Sequence, residues 1–182
     1  MAFSEDKIYP LFGIYPFLLF EKLKENILQN QLKLMKFVDE NSPKKIEFNL
    51  SHSGEMALLA IGQEHPLGVD VEYFSKRPYI GIAQQLFSEI EMRAMKNVPS
   101  FMEPMIFFHI WAQKEAFIKA SGLGLSYPTQ RFDVQAYPQT HQAIHDPMLH
   151  HDWHMVSFMP EIACCAALCH HPCIEQMNYF KI

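Results

Sequence analysis

The chain has 182 residues, of which 49% are hydrophobic and 19% are charged, a globular composition that excludes an intrinsically disordered chain. The formal net charge of −5 provides no basic field, which argues against nucleic acid as a partner. We expect neither a signal peptide nor a membrane span, because no apolar run reaches roughly 18 residues. The four cysteines all lie between residues 164 and 173, which favours reduced thiols in a cytoplasmic protein over a disulfide framework.

The first half of the chain alternates extended and helical patterns. Residues 8–20 predict extended structure interrupted by prolines, and residues 18–38 carry apolar side chains mostly at helical spacing. Three strands follow, in the segments IEFNLS, MALLAI and GVDVE. Because the links between them are short enough for hairpins, the sequence predicts an antiparallel meander.

The second half predicts two helices and three strands. The segment LFSEIEMRAMKNV (86–98) opens with Ser88 and Glu91, the signature of a capping box at a helix start. A second helix is predicted to begin near Pro104 and to end at Gly122 or Gly124, since glycine accepts a left-handed C-cap. Strands are predicted over residues 131–137, 153–160 and 161–169. The fold class is therefore α+β.

Two acids in GVDVE are the first candidates for chemistry. Asp70 and Glu72 stand two residues apart, which on a strand places both carboxylates on one face, about 7 Å apart. Two hard oxygen ligands on a rigid strand suit Mg²⁺ beside a substrate phosphate. The alternative is a solvated strand edge that happens to be acidic.

A second pair lies in the segment WAQKEAFIKASG. Glu115 and Lys119 are one helical turn apart and share a helix face. The alternative is a surface ion pair of little energetic value. Trp111, one turn before Glu115, makes the pair border the apolar stripe, where a site shielded from water is expected.

Ser51, His52 and Ser53 form the third candidate, at a strand end beside Gly54. Hydroxyls, an imidazole and free backbone N–H groups at such a turn can donate to a phosphate. The alternative is ordinary turn chemistry. A Ser-His nucleophile pair is excluded, because adjacent side chains on a strand point in opposite directions.

In order and spacing, FNLSHS, GVDVE and WAQKEAFIKASGLGLS resemble the three motifs of the Sfp-type 4′-phosphopantetheinyl transferases. The resemblance covers residues 46–134 well and the last two predicted strands more weakly. It implies a pseudo-dimer of two similar α+β lobes with the active site in the cleft between them. Here the lobes would be residues 1–66, a shortened N-terminal lobe, and residues 67–182, which carry the metal site.

The resemblance also implies an activity. Such enzymes transfer the 4′-phosphopantetheine arm of coenzyme A to a serine of an apo acyl or peptidyl carrier protein and release adenosine 3′,5′-bisphosphate. Mg²⁺, with Mn²⁺ as an alternative, would be held by Asp70, Glu72 and Glu115. Glu115 would act as the base and Lys119 would stabilise charge on the diphosphate, so that the implied catalytic residues are Glu115, Lys119 and Asp70. A monomer is expected.

Coenzyme A would contact further residues of the two lobes. The implied set is Ser51, His52, Lys114, Lys119 and Lys44. The family's basic residues for the 3′-phosphate cannot be aligned here; the candidates are Lys22, Lys24, Lys33, Lys36, Lys44 and Lys45.

Carrier proteins are usually acidic, and this chain is acidic too, so their binding requires a local basic or apolar patch. Lys76 and Arg77, just after the metal strand, are the predicted contacts. Trp111 is interpreted as a packing residue that fixes its helix.

Two other readings remain open. The ending ACCAALCHHPC suggests zinc, with Cys169, Cys173, His170 and His171 as ligands, but the spacing matches no standard finger and CCAALC is typical of a buried strand. The short first lobe suggests a non-catalytic coenzyme A or carrier-protein binding module. The complete set of three acids and Lys119 favours the enzyme over that module.

Overall fold

A computed structural model describes residues 11–16, 45–137, 141–174 and 177–181, which form two four-stranded sheets and three helices. The first sheet has the order β2-β3-β1-β8, with β1 at Leu11–Pro16, β2 at Ile46–Ser53, β3 at Met56–Gln63 and β8 at Asn178–Lys181. The second has the order β4-β7-β6-β5, with β4 at Leu67–Tyr73, β5 at Gln142–Asp146, β6 at His151–Glu161 and β7 at Cys164–His170. The predicted α+β class is confirmed. The helix predicted over residues 18–38 lies outside the described residues.

The predicted meander is correct for two strands and wrong for the third. β2 and β3 form an antiparallel hairpin that turns at Gly54, where φ is +55°. β4 does not continue this sheet but pairs antiparallel with β7, from Leu67 opposite His170 to Tyr73 opposite Cys164. Both β4 and β7 are mostly buried, so their short apolar runs carry no alternation that would reveal which strand pairs with which.

The two predicted helices are confirmed, and a third was missed. Helix α1 spans Tyr79–Leu86 and was not predicted. Helix α2 spans Glu89–Lys96 and begins with the capping box of Ser88 and Glu91. Helix α3 spans Glu103–Ser121 and ends at Gly122, where φ is 72°, as its left-handed cap requires.

The strand predicted over residues 131–137 is wrong. A 3₁₀ turn occupies Thr129–Arg131, and the residues after it are irregular. Their backbone groups bond to buried side chains instead of to a neighbouring strand: the Val134 N–H donates to Glu91 and the Phe132 carbonyl accepts from Lys114. The apolar side chains of this segment pack on helix α3. The sequence pattern cannot distinguish such packing from pairing with a neighbouring strand.

The last predicted strands are confirmed with shifted bounds. β6 runs through residue 161, and a turn at Ile162–Ala163 precedes β7; Ala163 has a φ of 59° there. β5 and β8 were not predicted. β8 joins the first sheet, parallel to β1, and the lobe boundary between residues 66 and 67 stays a prediction.

Helix α3 packs directly on the second sheet, where most of its side chains are buried. The closest approach is at Gly68 of β4: a Cβ atom there would lie 2.1 Å from the Ala116 carbonyl oxygen and 2.4 Å from the Ala120 nitrogen. This contact places the Glu115–Lys119 turn of the helix over β4. All four cysteines are free thiols, and no helix in the described part of the chain has the length and apolar character to cross a membrane.

Candidate active site

The edge of β4 is joined to the first sheet by side chains of β2. The side chains of Asn49, Ser51 and Ser53 accept hydrogen bonds from the backbone N–H groups of residues 69, 71 and 73, at 2.9, 3.4 and 3.1 Å. Alternate residues of a strand lie on one face, so these three side chains bond to every second residue along the edge of β4. They satisfy an open strand edge that would otherwise need a backbone partner.

Asp70 is the buried acid of the site, with only 5% of its surface exposed. Its Oδ1 accepts hydrogen bonds from Ser51 Oγ at 2.8 Å and from Lys119 Nζ at 2.7 Å. Its Oδ2 is buried and has no hydrogen-bond partner among the described residues. Burial raises the pKa of Asp70, although the attraction of Lys119 opposes that rise.

Glu72, two residues along β4, is held from several sides. Trp111 Nε1 of helix α3 donates to its Oε1 at 2.9 Å, and the Arg77 guanidinium pairs with its Oε2 at 3.1 Å. Ser53 adds a longer hydrogen bond of 3.4 Å. Trp111 therefore orients a carboxylate in addition to packing, a role that only its position one turn before Glu115 hinted at in the sequence.

Glu115 completes the cluster from helix α3. Burial and the negative charge of Asp70 raise the pKa of Glu115 to about 7, with a smaller contribution from Glu72 and opposition from Lys119. The three carboxylates, predicted from two separate motifs, thus lie close enough to repel one another. Lys119 belongs to the same cluster: its Nζ, which pairs with Asp70, also donates to the Val69 carbonyl at 3.0 Å.

A divalent cation fits this arrangement. The donor set consists of hard carboxylate oxygens, which is the chemistry that Mg²⁺ and Mn²⁺ prefer. The unpartnered Oδ2 of Asp70 and the raised pKa of Glu115 both indicate negative charge that the described residues compensate only in part.

Lys114 lies elsewhere. Its ammonium is fully buried, pairs with Glu91 at 2.9 Å, and donates to the carbonyls of Thr129 and Phe132 at 2.7 and 2.5 Å. It also lies 4.0 Å from the centroid of the Phe132 ring. These contacts anchor the irregular segment after helix α3 to the helix, and the structure does not bring Lys114 to the carboxylates.

The remaining predicted contacts are dispersed. Ser51 points inward onto Asp70, whereas the neighbouring His52 is exposed. Lys76 is exposed, but Arg77 packs over the Phe108 ring as well as on Glu72. Lys44 lies outside the described residues, as do Lys22, Lys24, Lys33 and Lys36.

Comparison with known proteins supports the reading of the three motifs. The family model described as the 4′-phosphopantetheinyl transferase superfamily matches residues 66–167. The 4′-phosphopantetheinyl transferase psf-1 of Bacillus pumilus is 40% identical over 88 residues, which are 48% of this chain and 37% of that protein.

Two further relatives match more of the chain. The 4′-phosphopantetheinyl transferase gsp of Aneurinibacillus migulanus is 38% identical over 109 residues, 59% of this chain and 44% of that protein. The 4′-phosphopantetheinyl transferase Sfp of Bacillus subtilis is 32% identical over 124 residues, 66% of this chain and 54% of that protein. The chain thus spans about half the length, or less, of these curated relatives. Because the family match covers more than half of the chain and includes Asp70, Glu72, Glu115 and Lys119, the chain belongs to the 4′-phosphopantetheinyl transferase superfamily.

Proposed function

We propose that this protein transfers the 4′-phosphopantetheine arm of coenzyme A to a serine of an apo acyl or peptidyl carrier protein, with a divalent metal, Mg²⁺ or Mn²⁺. The observation that carries the proposal is the convergence of Asp70, Glu72 and Glu115, with Lys119 paired to Asp70, inside the segment that matches the family. A module that only binds coenzyme A has no need for three acids that repel one another.

In this proposal Asp70, Glu72 and Glu115 hold the metal. When bound, the ion supplies positive charge that neutralises the diphosphate and orients it for in-line displacement. Ser51 and Trp111 fix the directions of the carboxylates of Asp70 and Glu72, because each donates a hydrogen bond to one of them. This orientation is present before any substrate arrives.

Glu115 is the proposed base. Its pKa is raised to about 7 in the metal-free protein, and a bound cation would lower it, so the carboxylate would be ionised and able to accept a proton at neutral pH. The carboxylate takes the proton of the carrier serine, directly or through one water. The serine oxygen then bonds to the phosphorus that carries the pantetheine arm, and the bond from that phosphorus to the bridging oxygen breaks. Adenosine 3′,5′-bisphosphate leaves with the electron pair, and Lys119 stabilises its developing charge.

The other partners remain part of the proposal. His52 and the early lysines, Lys44 among them, contact coenzyme A, and Ser51 acts on the substrate through Asp70. Lys114 supports the helix in place of the expected contact with coenzyme A, because its three hydrogen-bonding positions are filled inside the core. The protein acts as a cytoplasmic monomer of two lobes.

The test is to incubate the protein with coenzyme A, Mg²⁺ and a panel of apo carrier proteins, and to detect the added arm by mass spectrometry. Glu115→Gln removes the proposed base and one metal ligand, and Glu89→Gln is the matched control on an exposed position of helix α2. Transfer by the parent and by Glu89→Gln, but not by Glu115→Gln, is expected. Coenzyme A binding without transfer to any carrier would instead identify a binding module.

A further inference from the structure

Several histidines gather at the end of the second sheet, away from the carboxylate cluster. His65 lies in the link before β4, His171 and Cys173 follow β7, and His151 begins β6. The register explains the meeting: Leu67 of β4 pairs with His170 of β7, so the residues just outside that pair become neighbours. His65 thereby joins a cluster whose other members lie far along the chain.

Three of these side chains each offer one ligand atom in close proximity. One ring nitrogen of His65, one of His171 and the sulfur of Cys173 lie within 4.8 Å of one another. The two imidazoles stack with their centroids 4.1 Å apart and their planes at 10°, so one ring must rotate out of the stack before both nitrogens point at a shared ion. The Cys173 backbone N–H donates to Nδ1 of His171 at 3.1 Å, which shows that this nitrogen presents its lone pair towards Cys173.

We propose that His65, His171 and Cys173 bind a zinc ion, at a second metal site that is independent of the carboxylate cluster. Imidazole nitrogen and thiolate sulfur are ligands that suit Zn²⁺ and not Mg²⁺. The metal takes one ring nitrogen from each imidazole and the thiolate of Cys173.

The surroundings of the individual side chains favour His65, His171 and Cys173 as ligands. They disfavour the set that sequence proximity suggests, which includes Cys169 and His170. Cys169 is fully buried in the core, and burial raises the pKa of its thiol well above the usual value. Nδ1 of His170 faces the His171 carbonyl at 2.9 Å, inside the protein. Cys173 is the exposed cysteine of the four, so its sulfur is accessible to an ion from solvent.

Two protonated imidazoles in a stack would repel each other. A metal ion binds neutral imidazole, so a bound ion would replace this repulsion with two ligand bonds. Three protein ligands leave one tetrahedral position for water. His151 is the nearest further candidate for that position, since its ring centroid lies 4.8 Å from that of His171.

The experiment titrates metal-free protein with Zn²⁺ in a buffer that contains excess Mg²⁺, and follows binding by calorimetry. Co²⁺ serves as the spectroscopic probe, because a thiolate ligand adds a charge-transfer band and a tetrahedral site gives intense visible bands. We expect one Zn²⁺ per chain and a Co²⁺ spectrum with the thiolate band. Cys173→Ser should abolish that band, and His65→Gln should weaken Zn²⁺ binding about tenfold or more, since even outer-shell changes cost that much.

Two controls separate this site from other metal-binding groups. His145→Gln removes an exposed histidine that pairs with Asp152 on another part of the sheet, and it should leave Zn²⁺ affinity unchanged. Glu115→Gln alters the carboxylate cluster and should also leave Zn²⁺ affinity unchanged, regardless of its effect on phosphopantetheine transfer. Zinc binding that survives the double substitution of Cys173 and His65, or no saturable binding by the parent, would overturn the proposal. Thermal unfolding of the metal-free variants verifies that they remain folded.

Discussion

Ser51 of β2 donates a hydrogen bond to Asp70 of β4 across the join between the two sheets, at 2.8 Å. The same hydroxyl oxygen accepts the N–H of Val71, so one side chain both holds the strand edge and orients the acid. The serine that sequence reasoning assigned to coenzyme A phosphate is therefore bonded to the proposed metal site itself.

Replacing Ser51 by alanine should weaken both the attachment of the β4 edge and the orientation of Asp70. The Val71 N–H and one lone pair of Asp70 would lose their partner in a buried place, which should lower the free energy of unfolding by about 1–3 kcal/mol. Chemical denaturation measures that loss, and Mg²⁺ titration of the folded variant should show weaker binding. Ser126→Ala, at an exposed position, is the control and should change neither quantity. Full stability and Mg²⁺ affinity in Ser51→Ala would contradict the assigned role.

Gly68→Ala should separate helix α3 from β4. Its new methyl group would lie 2.1 Å from the Ala116 carbonyl oxygen, a distance that only a backbone shift can relieve. We expect a loss of about 3 kcal/mol in unfolding free energy, and loss of transfer activity as Glu115 moves away from Asp70.

Gly81→Ala is the matched control for that substitution. Gly81 lies in helix α1, and no atom lies within 4 Å of a Cβ built there. Alanine should therefore stabilise the protein by about 0.5–1 kcal/mol through its helix propensity. Equal effects of the two substitutions in a denaturant titration would refute the close helix–strand contact.

Glu115→Gln should stabilise the metal-free protein at neutral and alkaline pH. The folded carboxyl has a pKa of about 7 against the usual 4.5, so between these values the folded protein holds a proton that the unfolded chain has lost. The stability of the parent therefore falls as pH rises from 4.5 to 7 and stays low above that range. Glutamine cannot ionise, so the variant escapes this loss, which we expect to be about 2 kcal/mol once solvent screening of this part-buried side chain is taken into account.

Thermal unfolding in a chelator from pH 4.5 upwards measures this effect, with the two proteins converging at the acidic end. Addition of Mg²⁺ at about pH 8 should then raise the Tm of the parent more than that of Glu115→Gln. If the difference in stability between the parent and Glu115→Gln instead grew as the pH fell, a raised pKa for the Glu115 carboxyl would be excluded.

Lys114→Met should destabilise the fold without removing a coenzyme A contact. The substitution leaves the buried Glu91 carboxylate without its cation, which typically costs about 3–5 kcal/mol. Adding Glu91→Gln should recover part of the loss, because the unpaired charge disappears. Denaturant unfolding provides both values, and calorimetry on the folded variant should give parental coenzyme A affinity. A Lys114→Met variant that keeps its stability but binds coenzyme A weakly would instead support the contact between Lys114 and coenzyme A expected from the motif.

Lys76→Glu should raise the KM for an acidic carrier protein several-fold, because Lys76 is the exposed member of the predicted docking pair. Arg77 must stay intact in this test, since its ion pair with Glu72 ties it to the metal acids. Steady-state kinetics with varied carrier concentration measures the effect, and Lys96→Glu on helix α2 is the control. An unchanged KM would remove Lys76 from the carrier surface.

Local signals in the sequence were sufficient for the elements that depend on neighbouring residues. The capping box at Ser88 and the left-handed cap at Gly122 predicted two helix ends, because both are built from contacts within a few residues. The spacing of Asp70 and Glu72 on a strand, and of Glu115 and Lys119 on a helix, likewise placed each pair on one face. The motifs then identified the family.

Only the tertiary structure decided which of these faces meet. β4 pairs with β7 and not with β3, because two buried strands of similar composition carry no local mark of their partner. Lys114, adjacent to Glu115 in sequence, turns into the core, since consecutive helical residues point about 100° apart. His65 meets His171 and Cys173 through strand register alone. The sequence by itself determined the chemical groups and their local spacing; long-range packing determined their partners, because contacts between distant segments depend on the whole core.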